Sequence, residues 1–201
     1  IRNSEIKISS GIIRTAKIMI IATKDTTTPT TKIRDRKMLI DSHAHLTSNK
    51  YENLPTEDLI SKAKENGILK IINVAVGEGI PGINKLLDQC NKFEGLYPVV
   101  GFHPHESFNI KGNDFDELQK ILSLKEIRAI GEIGLDYHYN FSPKNAQIKV
   151  FGHQLEMANS LKKNIVIHCR EAHSELKEIL GQFKKVRAVI HCFSGNYKDA
   201  K

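Results

Sequence analysis

The chain has 201 residues, which is enough for one domain with a sizeable core or for two small domains. Hydrophobic residues make up 40% and charged residues 26%, proportions that are ordinary for a soluble globular protein and that exclude a wholly disordered chain. The net charge of +7 is concentrated in residues 1–37, which carry +6, whereas the remainder carries +1. The basic excess therefore says little about what the main part of the chain binds.

The extension formed by residues 1–37 differs in composition from the rest of the chain. It contains one short apolar patch, 18–22, followed by a Thr-rich, Pro-containing and charged stretch. Such a segment buries little apolar surface, so we expect it to be disordered or loosely helical. Its Lys, Arg, Ser and Thr content also fits a transit segment. The favoured interpretation is that the domain begins at Met38 and that the extension is upstream or fused sequence foreign to it.

From residue 38 onward, apolar strand-like runs alternate with helix-like segments. The strand-like runs are 38–43, 68–76, 95–103, 127–134, 164–169 and 186–192, and the helix-like segments are 56–66, 80–93, 114–123, 143–163 and 171–183. This alternation predicts repeated βαβ units and a parallel sheet that is covered on both faces. Both an open doubly wound sheet and a closed (β/α)₈ barrel fit the rhythm.

Polar residues at the strand ends distinguish these two folds. Five of the six predicted strands finish in a His or Glu, at His43 and His45, His103 and His105, Glu132, His168, and His191. Barrel enzymes build their sites from the carboxyl ends of several strands, whereas an open sheet concentrates its ligands at one switch point. We therefore predict an α/β fold of the TIM-type (β/α) barrel. Eight units need about 250 residues, so about six units are expected here, with the last two lacking.

The same strand-end residues suggest a metal centre. His43 and His45 are two positions apart and project from the same face of their strand, and Glu132, His168 and His191 come from other strands. A carboxylate among histidines from separate strands suits a bridged site for two divalent ions such as Mg, Mn or Zn. Any one of these histidines is more simply explained as a core or rim residue bonded to backbone. Their alignment at one rim favours the two-ion centre.

The cysteines bear on the compartment. Cys90, Cys169 and Cys192 are odd in number and form no CxxC pair, which argues against a disulfide scaffold and favours a reducing, cytoplasmic location. No apolar run approaches the ~18–20 residues of a membrane span. Neither a membrane nor a protein partner is predicted.

Six motifs in order carry a resemblance to a known family. They are IDSHAHL, VVGFHPHE, AIGEIGLDYH, QIKVFGHQLEMA, IVIHCREA and VIHCFSGN, and they lie within residues 38–197. Together they closely resemble the TatD family of metal-dependent deoxyribonucleases, within the amidohydrolase-like TIM barrels. The resemblance implies a two-metal phosphodiesterase acting on DNA, often as a 3′→5′ exonuclease, with a single strand or a 3′ end as its partner. It does not extend into residues 1–37.

The resemblance also implies roles for individual ligands. His43 and His45 would hold the first metal, Glu132 would bridge both ions and take part in catalysis, and His168 and His191 would hold the second. The family completes the first site with an aspartate after the seventh strand, which lies beyond the last residue of this chain. The chain alone is therefore expected to bind one ion better than the other.

Further residues are assigned to the substrate. His103 would face the scissile phosphate as a catalytic and substrate-binding residue, and Asp136 and Arg170 would contribute substrate contacts at the rim. The planar fork of Arg170 suits a phosphate, although an ion pair with Glu171 or a helix cap is equally compatible. Asp41 is expected to support the ligands from a deeper position. The remaining histidines are expected to be structural or surface residues, namely His105, His138, His153 and His173.

Two other functions remain open at this point. A hydrolase of the same superfamily that cuts a cyclic amide, ester or aminoacyl bond would use the same chemistry, since fold does not determine function. Those relatives commonly bridge their metals with a modified lysine after the fourth strand, where this sequence has Glu132. An inactive binding fragment is the second alternative.

Overall fold

The computed structural model describes residues 18–20 and 39–200. The strands in these ranges are β1 Ile18–Ile20, β2 Leu39–Ala44, β3 Ile68–Val74, β4 Leu96–Val99, β5 Ala129–Asp136, β6 Asn164–Arg170 and β7 Ala188–Ile190. The α-helices are α1 Thr56–Glu65, α2 Gly79–Lys92, α3 Gly112–Leu122, α4 Lys144–Leu161 and α5 His173–Gly181. None of the helices in this part of the chain has both the length and the apolar character that crossing a bilayer requires.

Strands β2 to β7 run parallel and lie side by side in the order of the chain. Hydrogen bonds join β2, β3 and β4 in one group and β5, β6 and β7 in another. A parallel bridge between Val100 and Ile130 connects the groups, where the Gly131 amide donates to the Val100 carbonyl at 3.0 Å. Consecutive strands are connected by the helices that pack against them. The fold is thus a TIM-type α/β barrel with about six of its eight βα units, as the sequence predicts.

The core lies between β5 and the helices that cover it. From Ile130 to Asp136, every residue of β5 is buried, as a parallel strand covered on both faces requires. Leu118 of α3 and Phe151 and Leu155 of α4 are also fully buried in the main cluster. Full burial stabilises each of these side chains by about 1.5–3 kcal/mol relative to exposure. This packing fixes β5, the strand that carries Glu132 and Asp136.

Strand β4 is shorter than the predicted 95–103. Beyond Val99 the chain leaves the regular ladder, and the side chain of Gln154 on α4 takes over the pairing. Its Oε1 accepts from the Phe102 amide at 2.7 Å, and its Nε2 donates to the Phe102 carbonyl at 3.1 Å. A buried backbone needs both bonds, so Gln154 allows the chain to turn away before His103 without leaving a polar group unpaired.

Part of the N-terminal extension pairs with the barrel. Strand β1 runs antiparallel to β2, with Ile18 opposite Asp41 and Ile20 opposite Leu39. Among the described residues, only 18–20 of the extension take part in this pairing, so the expectation of a disordered or loosely helical segment stays a prediction. The other residues of the extension, and the expected domain start at Met38, lie outside the described ranges.

Gly134 provides a test of how closely β5 and β6 are packed. Its φ is +143°, and an added Cβ would lie 2.1 Å from the His168 carbonyl oxygen on β6. We expect Gly134→Ala to lower the free energy of unfolding by about 2–4 kcal/mol, because the strands must separate or the backbone must strain. Urea unfolding monitored by circular dichroism measures the change.

Gly152→Ala is the matched control for that substitution. Gly152 lies in the interior of α4, and nothing is within 4 Å of an added Cβ. Alanine there is expected to stabilise the helix by about 0.5–1 kcal/mol. Equal stability of the two variants would contradict the close packing of β5 against β6.

Candidate metal centre

All but one of the residues predicted at the strand ends line one open cleft of about 500 Å³, and the remaining one, His43, is buried in contact with Glu132 of that lining. His43 lies near the end of β2, Glu132 lies on β5, His168 lies on β6, and His191 directly follows β7. Because parallel strands place their carboxyl ends at one rim, side chains that are far apart in the sequence converge there. His45 follows β2 and also lines the cleft.

Glu132 is at the centre of this cluster. The residue is only 3% exposed. Its Oε2 lies 3.1 Å from His43 Nε2 and 3.6 Å from His45 Nε2, whereas its Oε1 lies 3.1 Å from His168 Nδ1. The two carboxylate oxygens therefore face different histidines, which is the arrangement that a bridging ligand needs.

Backbone contacts orient the two histidines of the first strand. His45 Nδ1 lies 2.9 Å from the carbonyl oxygen of Val74, to which it must donate. The Nε2 of His45 is then the nitrogen left with a lone pair, and it faces Glu132. Buried Asp41 accepts a hydrogen bond from the His43 amide at 3.1 Å. Asp41 thus contacts the backbone of His43, and its support of the ligands stays a prediction.

The grouping of the predicted ligands differs from the one expected. The ligand atoms of His43, Glu132 and His191 all lie within 4.8 Å of one another. The His191 ring stacks on the His43 ring with centroids 3.5 Å apart. His191 is therefore close to a histidine expected at the first metal, although the sequence assigned it with His168 to the second.

His105 lies in the cleft, contrary to the expectation of a structural or surface role. Its ligand atom is within 4.8 Å of those of His103 and His168. A 3₁₀ turn at Pro104–Glu106 brings both His103 and His105 to the same rim. The His-Pro-His spacing repeats the His-Ala-His spacing after the first strand, and this similarity was the signal in the sequence. The other three histidines expected outside the site, His138, His153 and His173, do not line the cleft.

His103 is held as a neutral hydrogen-bond donor. Its Nδ1 accepts the amide proton of His105 at 3.2 Å, so the ring proton resides on Nε2. Burial, together with the charge of His168, lowers the pKa of His103 to about 3. Glu106 fixes the turn, because Oε1 accepts from the His103 amide at 2.9 Å and Oε2 from the Gly79 amide at 2.7 Å.

The Asp136 carboxylate is fully buried, and both of its oxygens are occupied. Oδ2 lies 2.8 Å from Nε2 of His105 and 2.8 Å from Nε2 of His168. Oδ1 accepts the amides of His138 and Tyr139, each at 3.0 Å. This arrangement fits a residue that orients His105 and His168 better than the substrate contact that the sequence predicts.

The carboxylates of the site are held in their ionised form. Burial opposes ionisation of Glu132, but hydrogen bonds from His168 and His43 outweigh it and hold its pKa well below the usual value. Burial likewise opposes ionisation of Asp136, but the Tyr139 amide and the rings of His105 and His168 lower its pKa to about 2. The pKa of His168 is raised, since Glu132 and Asp136 outweigh the effect of burial.

Arg170 lies at the edge of the cleft and does not form the ion pair with Glu171 that the sequence left open. Its guanidinium carbon is 4.7 Å from the centre of the Tyr139 ring. Glu171 instead contacts His138, with Oε1 2.7 Å from Nδ1. The separation of Arg170 from the Tyr139 ring is a cation–π distance, and the planar fork of guanidinium donors is a chemistry that suits a phosphate.

The possible ligand atoms of this cluster fit divalent cations. Imidazole nitrogens and a bridging carboxylate from separate strands are ligands that Zn and Mn accept, and the carboxylate extends the range to Mg. The histidines now share hydrogen bonds with Glu132 and Asp136, and binding a cation would displace protons from them. The sequence-based prediction of a metal centre is thus compatible with the geometry.

Comparison with known proteins agrees with the prediction of a metal-dependent hydrolase. The family model described as TatD related DNase matches residues 40–201. The "Uncharacterized metal-dependent hydrolase YabD" of Bacillus subtilis is 32% identical over 166 residues, which is 82% of this chain and 64% of that protein. The "3'-5' ssDNA/RNA exonuclease TatD" of Cronobacter sakazakii is 27% identical over 165 residues, 81% of this chain and 62% of that protein.

A solved structure shows the same architecture. The crystal structure of YJJV, a TatD homologue from Escherichia coli K12, superposes with a TM-score of 0.73 at 26% identity, covering 80% of this chain and 62% of that one. The chain thus spans a little under two thirds of the length of these relatives. Since the family model extends over residues 40–201 and the relatives and the fold agree with it, the chain belongs to the TatD-related DNase family.

Proposed function

We propose that this chain is part of a metal-dependent hydrolase that cleaves phosphodiester bonds in nucleic acid. The observation that carries the proposal is the buried Glu132 carboxylate, whose two oxygens face histidines on opposite sides. The printed names of relatives support it, since several are called 3'-5' ssDNA/RNA exonucleases. We take DNA with a single-stranded 3′ end as the substrate and 3′→5′ removal of nucleotides as the reaction.

Two divalent ions are proposed, with Glu132 between them. His43 and His45 would hold the ion on the Oε2 side, and His168 would hold the ion on the Oε1 side. His191 lies near Glu132 and His43, and we keep it as a ligand of the centre. When bound, such ions lower the pKa of water and neutralise phosphate charge. Mg, Mn and Zn are all compatible with this set of ligands.

Other residues of the cleft would act on the phosphate. The neutral ring of His103 offers its Nε2 proton to a phosphate oxygen, and its lowered pKa keeps it in that state at neutral pH. Arg170 offers a planar fork of donors at the edge of the cleft. Both would strengthen their hydrogen bonds as negative charge develops on the phosphate oxygens. Asp136 holds His168 in place for this arrangement.

A hydrolase acting on a cyclic amide, ester or aminoacyl bond is the second candidate. The same centre would serve it, because Lewis-acid activation does not distinguish a carbonyl from a phosphate. The position of Arg170 favours the phosphodiester, since a planar fork of donors suits an anionic oxygen pair.

Cys90, Cys169 and Cys192 are free thiols, in keeping with a proposed cytoplasmic location.

Glu132→Gln tests the bridging role. The substitution keeps the size of the side chain but removes the charge, so the second ion is expected to lose its binding. Isothermal titration with Mn²⁺ should show one equivalent fewer than in the parent chain. Glu156→Gln is the control, because Glu156 is an exposed carboxylate on α4. An unchanged stoichiometry in Glu132→Gln would contradict the role assigned to Glu132.

Substrate class is tested by direct comparison of two reactions. A single-stranded DNA oligonucleotide labelled at its 5′ end should shorten progressively from its 3′ end when Mg²⁺, Mn²⁺ or Zn²⁺ is present. A dihydro-cyclic amide should remain intact under the same conditions, because it carries no anionic oxygens for Arg170. Turnover of the amide with intact DNA would favour the second candidate.

A further inference from the structure

Two exposed aromatic side chains stand beside the metal centre and take no part in the proposed chemistry. Tyr139 and Phe141 lie in the loop between β5 and α4 and are 41% and 65% exposed. Their rings stack with centroids 5.4 Å apart and planes inclined by 23°. We call this pair the aromatic shelf. Exposed apolar surface marks a candidate binding site when it is contiguous and adjoins a functional cleft.

The aromatic shelf is continuous with the cleft. The His105 ring meets both shelf rings edge-on, with centroids 5.5 Å from Tyr139 and 4.8 Å from Phe141. His105 in turn contacts Asp136, which also holds His168. A ligand lying on the shelf would therefore have its neighbouring atoms beside the proposed metal ligands.

Hydrogen bonds hold the loop that carries the shelf. At its start, the Tyr139 amide donates to Asp136 Oδ1 at 3.0 Å. At its end, the Ser142 hydroxyl donates to the His105 carbonyl at 2.8 Å, and Gln147 Nε2 donates to the Ser142 carbonyl at 2.8 Å. A loop secured at both ends loses little conformational entropy when a ligand binds, so the shelf is preorganised.

Arg170 adds a cation to the shelf. Its guanidinium lies over the Tyr139 ring at 4.7 Å. A ring surface next to guanidinium donors matches the two parts of a nucleotide, since the base stacks on aromatic rings and the phosphate binds the fork.

We propose that the aromatic shelf stacks the base of the nucleotide adjoining the scissile phosphate, while Arg170 binds a phosphate of that nucleotide. The ligand class is an unpaired nucleotide at a strand end, because the faces of paired bases are covered by stacking within a duplex. The proposal rests on the proposed function for its assignment of the substrate as nucleic acid. It assigns to Tyr139 and Phe141 a role in substrate selection.

The test compares two single-stranded DNA oligonucleotides, one ending in 2-aminopurine at its 3′ end and the other ending in an abasic site. The parent chain should quench 2-aminopurine emission through stacking, and it should bind the abasic oligonucleotide about tenfold more weakly by fluorescence anisotropy. Phe141→Ala and Tyr139→Ala should remove the quenching and weaken binding of the base-containing oligonucleotide about tenfold. Phe141→Ala should leave binding of the abasic oligonucleotide unchanged, because the contact between Arg170 and Tyr139 remains in place, and Phe141→Trp should retain the quenching.

Tyr97→Ala is the matched control. Tyr97 is 39% exposed, close to Tyr139 in exposure, but it lies near the start of β4 and therefore at the other end of the barrel. Its removal should alter neither binding nor quenching. Equal binding of the two oligonucleotides by the parent chain, no binding of either, or full quenching in Phe141→Ala would overturn the proposal.

Cleavage of the same oligonucleotides in Mn²⁺ separates this proposal from the one on which it rests. Base-dependent binding and quenching without cleavage would contradict the nuclease function and support the shelf. Cleavage of the base-containing and abasic oligonucleotides with equal KM would contradict the shelf and support the nuclease function.

Discussion

A buried carboxylate that must find partners organises the carboxyl rim of this barrel. Glu132 is 3% exposed on a strand surrounded by apolar side chains, where an unpaired charge would cost several kcal/mol. His43 and His168 supply the partners from β2 and β6, and no single βα unit could do so alone. The strand order of the barrel is therefore a requirement of the site. The histidines that compensate the charge of Glu132 also provide, together with its carboxylate, a set of ligand atoms for cations.

Asp136 extends this arrangement outward from the centre. One of its oxygens orients His105 and His168, and the other secures the loop at Tyr139. A single buried side chain thus links the proposed metal ligands with the aromatic shelf. Gln147 on α4 fixes Asp136 in turn, because its side-chain oxygen accepts from the Asp136 amide at 2.8 Å. Helix α4, which packs against β5 in the core, therefore also positions the residues beside which a substrate would lie.

The features that depend on local pattern could be predicted from the sequence, and those that depend on tertiary contacts could not. Apolar runs ending in His or Glu identified the parallel strands, the barrel and the residues that converge at its rim. The position of His105 depends on the turn at Pro104–Glu106, and the burial of Asp136 depends on donors from three other segments. The grouping of His191 with His43 depends on how two rings stack across the cleft. The pairing of residues 18–20 with β2 is a long-range contact within a segment whose composition indicates disorder.

The central claim is that Glu132 bridges two divalent ions, and anomalous diffraction from crystals of the chain grown with Mn²⁺ tests it most directly. The account predicts two peaks about 3.5–4 Å apart, one beside His43 and His45 and the other beside His168, each within coordination distance of one Glu132 oxygen. A map in which no peak contacts Glu132, or in which a single ion lies among His103, His105 and His168 alone, would contradict the account.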